Sequence, residues 1–464
     1  MPETAVRFPS LPRRAVLGGA AALALPGRHA AAAGQKTLRV ETFQLEVEGK
    51  AATRFRVVQP DGTWGLTLDE GERFDARLEN RLSVPTLVHW HGLNPPWRQD
   101  GVPYVSAPPV PPGKEAFYGF PATPPGTRWM HSHFGLQEQN LLAAPLIIRE
   151  TSAIRSGLQE VVVLLEDFAW RSPGEIFEQL RTAKPDMKPD MSARPDLNDV
   201  DYDAFLANHR TLADPQVVGV DKGSEIRLRL INGATSSNFV IDLGGLEGRL
   251  ITVDGNPIEP ITVRTLPLAT AQRADVLVRL PNDGKAVAVL ARCEGRTLQT
   301  GIILRPPGAA VSKVAGRAET AAPEITLAEE LTLRAAQPLA NRPVDRSIPV
   351  ELTGAMMGYI WGMTVHGQGG EPATVAKGQR IELAMRNGTM MDHPMHLHGH
   401  SFQVTEIDGR QIAGAVRDTI LVPPRSTVKV QFDADNPGLW AFHCHNLYHM
   451  AAGMFTTVVY DGFS

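Results

Sequence analysis

Three ten-residue segments carry one pattern of apolar and polar positions: GERFDARLEN at 71–80, GSEIRLRLIN at 223–232 and GQRIELAMRN at 378–387. Each opens on Gly and closes on Asn. Between these ends apolar residues alternate with polar ones: Phe74, Ala76, Leu78; Ile226, Leu228, Leu230; Ile381, Leu383, Met385. Successive side chains on a strand point to opposite faces, so this period predicts a strand with one buried face. Three such strands, starting roughly 150 residues apart, predict three copies of one β domain. The runs EVVVLLEDF (160–168), RADVLVRL (273–280) and STVKVQFDAD (426–435) add further strands, and helical periodicity is scarce. The polar, Pro-rich stretch 172–215 reads as a long loop with room for a short helix, and the Pro/Ala-rich stretch 306–324 as a linker. The expected architecture is all-β, with sandwich domains at 36–152, 153–308 and 320–464.

The repeat also sorts the histidines. Nine and eleven residues after Asn80 stand His89 and His91, in HWHG; the same offsets from Asn387 give His396 and His398, in HLHG. After Asn232 they give Ile241 and Leu243. A second pair follows the same rule: His131 and His133 after Gly126, His443 and His445 after Gly438, with Val289 and Ala291 after Gly284 in the middle copy. Residues i and i+2 on a strand share a face, so each His-x-His pair aims two imidazoles one way. If domains 1 and 3 meet through a pseudo-two-fold relation, eight imidazoles converge and domain 2 is a spacer. Zinc takes four ligands, so eight rings suit several metals. His29, His209, His366 and His400 lack the pattern and read as ordinary core or surface residues.

The stretch HCHNLYHMAAGM (443–454) holds a second constellation. His443 and His445 face one way and Cys444 the other. His449, Met454 and His393 can reach the Cys444 side. Two His and one Cys with a weak axial Met are the signature of type 1 (blue) copper, whereas zinc would not call for the thioether. Cys444 would then bind one metal while its neighbours bind the cluster behind it, a short through-bond route for an electron. Domain 1 has Ser132 at this position, so only domain 3 is expected to hold the mononuclear site. The chain's other cysteine, Cys293, reads as a small buried apolar residue.

The net charge of −4 gives no reason to expect nucleic acid or an anionic membrane as partner. The segment LPRRAVLGGAAALALPGRHAAAAGQ, with Arg13 and Arg14 ahead of a short apolar run and small residues, reads as a twin-arginine export signal over 1–33. The run is too short to span a membrane, and a periplasmic location is expected.

The four motifs HWHG, HSH, HPMHLHGH and HCHNLYHMAAGM closely resemble those of the three-domain multicopper oxidases, the laccases and bacterial copper-efflux oxidases, from about residue 37 onward. The resemblance implies three cupredoxin-like Greek-key sandwiches and about four coppers per chain. It implies type 1 ligands His393, Cys444, His449 and Met454, and type 2 ligands His89 and His396. It implies one type 3 copper on His91, His131 and His445 and the other on His133, His398 and His443. The family oxidises a reducing substrate one electron at a time at type 1 and reduces dioxygen to water at the trinuclear cluster. Asp100, in RQDGVP, matches a family carboxylate near the cluster and is expected to donate protons through water. The acid that often follows the last type 1 histidine in copper-efflux oxidases is here Met450. Asp392, beside His393, is expected to be a solvated loop carboxylate. The methionines are scattered, with no dense Met-rich insert, so phenols or aromatic amines are the expected donors and Cu(I) the alternative. A monomer is expected. A copper nitrite reductase, with two domains per chain, is a poorer match. A non-enzymatic scaffold or copper-binding protein would not need a relay joined to a cluster.

Overall fold

The computed structural model describes residues 34–182, 197–365 and 372–463. The export-signal segment, His29, His366, Met187 and Met191 lie outside them. Among the described residues six sheets pair into three consecutive sandwiches. In each, the repeat segment is an interior strand: Arg73–Asn80, Glu225–Asn232 and Arg380–Asn387. Each pairs parallel with an earlier strand and antiparallel with a later one. The apolar positions of the pattern are all buried. In the middle strand the polar positions Arg227 and Arg229 are buried too. Domain 1 packs on that face, and the two arginines pair with Glu150, Glu160 and Asp275.

The ends of the repeat have physical work to do. Gly71, Gly223 and Gly378 turn the chain at φ of +92°, +71° and +90°, a region that side chains disfavour. The closing asparagines form one clamp used three times. Asn80 Nδ2 donates to the carbonyls of Val84 and Val110, Asn232 Nδ2 to Ser237 and Leu268, and Asn387 Nδ2 to Met391 and Val422, all at 2.8–2.9 Å. Each Oδ1 accepts the main-chain N–H two residues on. Losing such a side chain would strand two buried carbonyls, at about 1–3 kcal/mol each. The clamp fixes the turn into the next strand, the strand that carries His-x-His in domains 1 and 3.

The middle copy departs from the sequence alignment. His89 pairs across the sheet with His131, and His396 with His443, but Ile241 pairs with Ala291. Ala291 and Cys293, not Val289 and Ala291, therefore stand where the other domains have their second histidine pair. The apolar cores of domains 2 and 3 run together, while domain 1 has its own. Within 172–215 the structure has a helix, Pro173–Thr182, and a strand, Ala204–Ala207, that pairs with Gln159–Phe168. Ser172 and Glu175 form a reciprocal cap at the helix start. The 306–324 stretch is strapped to domain 2 by bridges at Arg317 and Ala322.

Candidate metal centre

The four His-x-His pairs sit at the ends of the strands Val88–His91, Gly126–Ser132, His393–Leu397 and Leu439–Cys444. Domains 1 and 3 face each other across them, and all eight rings are buried. His91 stacks on His396 at 3.8 Å between centroids, and His89 lies 3.9 Å from His398. Ring nitrogens gather in three groups: His89, His91 and His396; His91, His131 and His445; His133, His398 and His443. In the third group His443 Nε2 lies 3.3 Å from His133 Nε2 and 2.9 Å from His398 Nε2.

Hydrogen bonds fix which nitrogen is free on six of the eight rings. His89 Nδ1 donates to the Asp100 carbonyl (2.8 Å), His396 Nδ1 to the Asp418 carbonyl (2.8 Å) and His443 Nδ1 to the Cys444 carbonyl (2.9 Å). His398 Nδ1 donates to Asp100 Oδ2 (2.8 Å). His131 Nδ1 donates to the Ser132 carbonyl (3.2 Å) and lies 3.1 Å from Glu138 Oε2. His91 is reversed: its Nε2 donates to Asp418 Oδ1 (3.1 Å). The nitrogens left without a protein partner among the described residues are His89 Nε2, His91 Nδ1, His131 Nε2, His396 Nε2 and both of His445. A buried, unpartnered polar atom is costly, and these converge. Burial, then the neighbouring rings, pushes His91, His131, His133, His396 and His398 well below the usual histidine range. Neutral rings with one N–H tied back and one lone pair aimed inward are the state in which imidazole binds a metal.

The second constellation lies behind Cys444. Its Sγ is 3.6 Å from His393 Nδ1 and 3.7 Å from His449 Nδ1, and the two ring nitrogens are 3.1 Å apart. An extended strand would carry His449, five residues on, to the wrong face. Instead Asn446 caps the helix Leu447–Ala451, accepting from the N–H of Tyr448 and His449, and this turn brings His449 back. Met454 follows, fully buried, its N–H bonded to the His449 carbonyl. His393 Nε2 is held by Thr389 Oγ1 at 2.8 Å, and His449 Nε2 lies 2.8 Å from Asp199 Oδ2. Two imidazoles, a thiol and a buried thioether suit copper.

Polar residues at these sites that escape the sequence reading include Asp199, Glu138, Asp418, Thr389 and Thr419. Glu138 lies five residues after His133, and its carboxyl is pushed well above the usual range by burial and then by Asp167. Asp392 is not a solvated loop carboxylate. It is buried, and burial followed by the charges of Glu294 and Glu324 holds its carboxyl well above the usual range. His400 is an ordinary core residue, bonded to Tyr460 Oη (2.7 Å) and the His398 carbonyl (3.0 Å). His209 packs on Trp64 and Phe43 beside Glu166. Cys293 is buried, and its thiol is pushed up by that burial.

Family models described as multicopper oxidase match residues 48–153, 160–309 and 341–462. The chain is 31% identical to the multicopper oxidase MmcO of Mycobacterium tuberculosis, over 84% of this chain and 80% of that one. It is 27% identical to a copper resistance protein A homolog of Pseudomonas syringae pv. tomato, over 91% of each. Its fold is similar to the crystal structure of Fet3p, a multicopper oxidase that functions in iron import, with a TM-score of 0.76 at 21% identity over 92% of this chain and 90% of that one. Three cupredoxin-like sandwiches with histidine clusters between the first and last thus belong to a chain of the multicopper oxidase family, copper-dependent oxidoreductases that oxidise phenols or metal ions with oxygen as acceptor.

Proposed function

We propose that the protein takes electrons singly from phenols or aromatic amines, as a laccase does, and passes them to dioxygen, giving water. In this reading His393, Cys444, His449 and Met454 hold type 1 copper, and His89 and His396 hold type 2. His91, His131 and His445 hold one type 3 copper and His133, His398 and His443 the other, about four coppers per chain. Copper, when bound, supplies the one-electron redox chemistry. The chain's residues hold the donor atoms in place, exclude water and carry protons and electrons.

The observation that carries the reading is the junction at Cys444. Its sulfur faces His393 and His449, while His443 and His445, one residue to either side, belong to the nitrogen groups behind. Two sites joined by one peptide bond on each side make a relay. Metal-loaded protein is expected to hold about four coppers per chain and to absorb strongly at about 600 nm. One copper or none in fully loaded protein would overturn the reading. A copper store or scaffold would load copper without consuming oxygen when a phenol is supplied.

Cu(I) as donor is the second reading. Met357 is 62% exposed, in the turn between the strands Arg346–Ala355 and Ile360–Val365; the second strand carries Trp361, whose ring lies 4.3 Å from that of His449. The ratio of phenol to Cu(I) oxidation rates on loaded protein separates the two. Residues 1–33 support export to the periplasm by the twin-arginine route. No helix among the described residues is long and apolar enough to cross a membrane. We read the working unit as a monomer.

Asp100 is the proposed proton carrier. It is buried, with Oδ2 at 2.8 Å from His398 Nδ1 and Oδ1 at 3.2 Å from His89 Nδ1. Asp100→Asn should slow oxygen reduction by about 10–100-fold, the usual cost of losing an outer partner of a metal ligand, with the blue band intact. Unchanged oxygen uptake would remove Asp100 from the proton route.

A further inference from the structure

Domain 2 contributes no ring to the histidine groups among the described residues, yet one of its side chains is locked to their support. Arg273 opens the strand Arg273–Arg279 and is fully buried. All five of its side-chain N–H bonds are used. Nε donates to the Thr127 carbonyl of domain 1 (3.2 Å); Nη1 donates to the Ala271 carbonyl (3.1 Å) and Asp418 Oδ1 (2.6 Å); Nη2 donates to the Asp254 carbonyl (3.0 Å) and Asp418 Oδ2 (2.5 Å). One guanidinium thus ties all three domains, and its bidentate fork leaves the Asp418 carboxylate no freedom to rotate.

Asp418 turns its remaining acceptors on the cluster. Oδ1 accepts from His91 Nε2 at 3.1 Å, and its main-chain carbonyl accepts from His396 Nδ1 at 2.8 Å. Thr419 Oγ1, bonded to Asp418 Oδ1 at 3.0 Å, lies 3.3 Å from His91 Nε2 and 3.2 Å from His396 Nδ1. The main chain closes on the same pair. Gly92 follows His91 at φ +86°, and a Cβ there would lie 2.6 Å from Arg273 Nη2 and 2.9 Å from Asp418 Oδ2.

We propose that Arg273 is a positioning residue for the copper cluster: by fixing Asp418 it keeps His91 presenting Nδ1 and His396 presenting Nε2. Domain 2 is then a working part of the cluster rather than a spacer. The inference rests on the copper assignment proposed above.

The test compares full-length wild type with Arg273→Met, Arg273→Lys and Arg229→Met. Arg229 is equally buried at the contact of domains 1 and 2, bonded to Thr127, Glu150, Glu160 and Asp275 and not to Asp418. Each protein is loaded with copper. Retention is then read by competition with a graded chelator, alongside the blue band and the paramagnetic resonance of the mononuclear cluster copper. Arg273→Met should hold cluster copper about 10–100-fold more weakly, with the blue band at wild-type strength. Arg273→Lys should be intermediate, because an ammonium cannot fork. Arg229→Met should match wild type. Wild-type retention and resonance in Arg273→Met would overturn the proposal, and so would equal weakening in Arg229→Met. If Arg273→Met does not fold, the lysine variant decides: weakened retention with a shifted resonance supports the role, and wild-type retention overturns it. Wild-type protein that takes up no cluster copper would overturn the copper assignment itself, and the inference with it.

Discussion

Cys444→Ser should abolish the blue absorption, leave one copper fewer per chain and cut turnover by more than about 100-fold, beyond the upper end for loss of an outer partner of a ligand. The soft thiolate is what selects copper in a site with two imidazoles, and a serine hydroxyl does not ionise to replace it. The fold should tolerate the change. Serine nearly matches cysteine in volume, and domain 1 already has Ser132 at the equivalent place, bonded through Oγ to Gln137. The ladder around Cys444, with Met395 opposite, rests on main-chain groups and is untouched. His443 and His445 should therefore still bind, so cluster copper should survive in the variant. Absorption, copper analysis and steady-state rates read the three effects. A variant that kept the band would remove Cys444 from the site.

The second large effect concerns acid and the metal-free protein. His443 is held down at about 4 by burial, against an ordinary value of 6.5. In the unfolded chain this ring takes up a proton as pH falls through about 6.5; in the folded chain it stays neutral until about pH 4. Across that window the unfolded state binds more protons, so stability falls with pH at about 1.4 kcal/mol per unit. Above pH 6.5 the ring contributes nothing. The other cluster rings with lowered values act in the same sense. Carboxyls with raised values oppose them: the buried Glu138, Asp167, Asp254 and Asp392, and buried Glu294 and half-buried Glu329 at about 7. The measurement that isolates the ring is a difference. Between pH 6.5 and 5, denaturant unfolding of metal-free His443→Gln should lose about 1.5 kcal/mol less than that of metal-free wild type. Parallel profiles would show that His443 is not held neutral by the fold.

What the sequence reveals and what it hides divide along a physical line. Period-2 alternation and the Gly and Asn ends of the repeat are local signals, because one strand's faces and one turn's φ are set within about ten residues. Histidines on such strands can be placed by counting, which is why the four pairs are readable. Count fails in the middle domain. The approach to Ala291 is two residues longer from its glycine than the approach to His131 or His443, and only the pairing with Ile241 reveals it. Ser172 with Glu175 is a local cap signal that was there to be read. Asp199, Asp418 and Arg273 give no such signal. Each is one polar residue in unremarkable surroundings, and the bond that matters to the site, Asp199 beside His449, Asp418 to His91 or Arg273 to Asp418, forms only when another domain docks on it. Arg227 and Arg229 break the alternation for the same reason.

The facing of domain 1 by domain 3 also sets a timetable. Val88–His91 and Leu439–Cys444 are separated by the rest of domain 1, the whole middle sandwich and most of domain 3. Bringing such distant segments together costs loop-closure entropy of about 5 kcal/mol, repaid only on docking. During synthesis a finished first domain therefore holds out four imidazoles with nothing opposite, while the thiol and the other four rings do not yet exist. The donor set comes into being in a single late event, after the last sandwich closes. In the copper reading proposed above, a metal met before then would find only half of the cluster's donors.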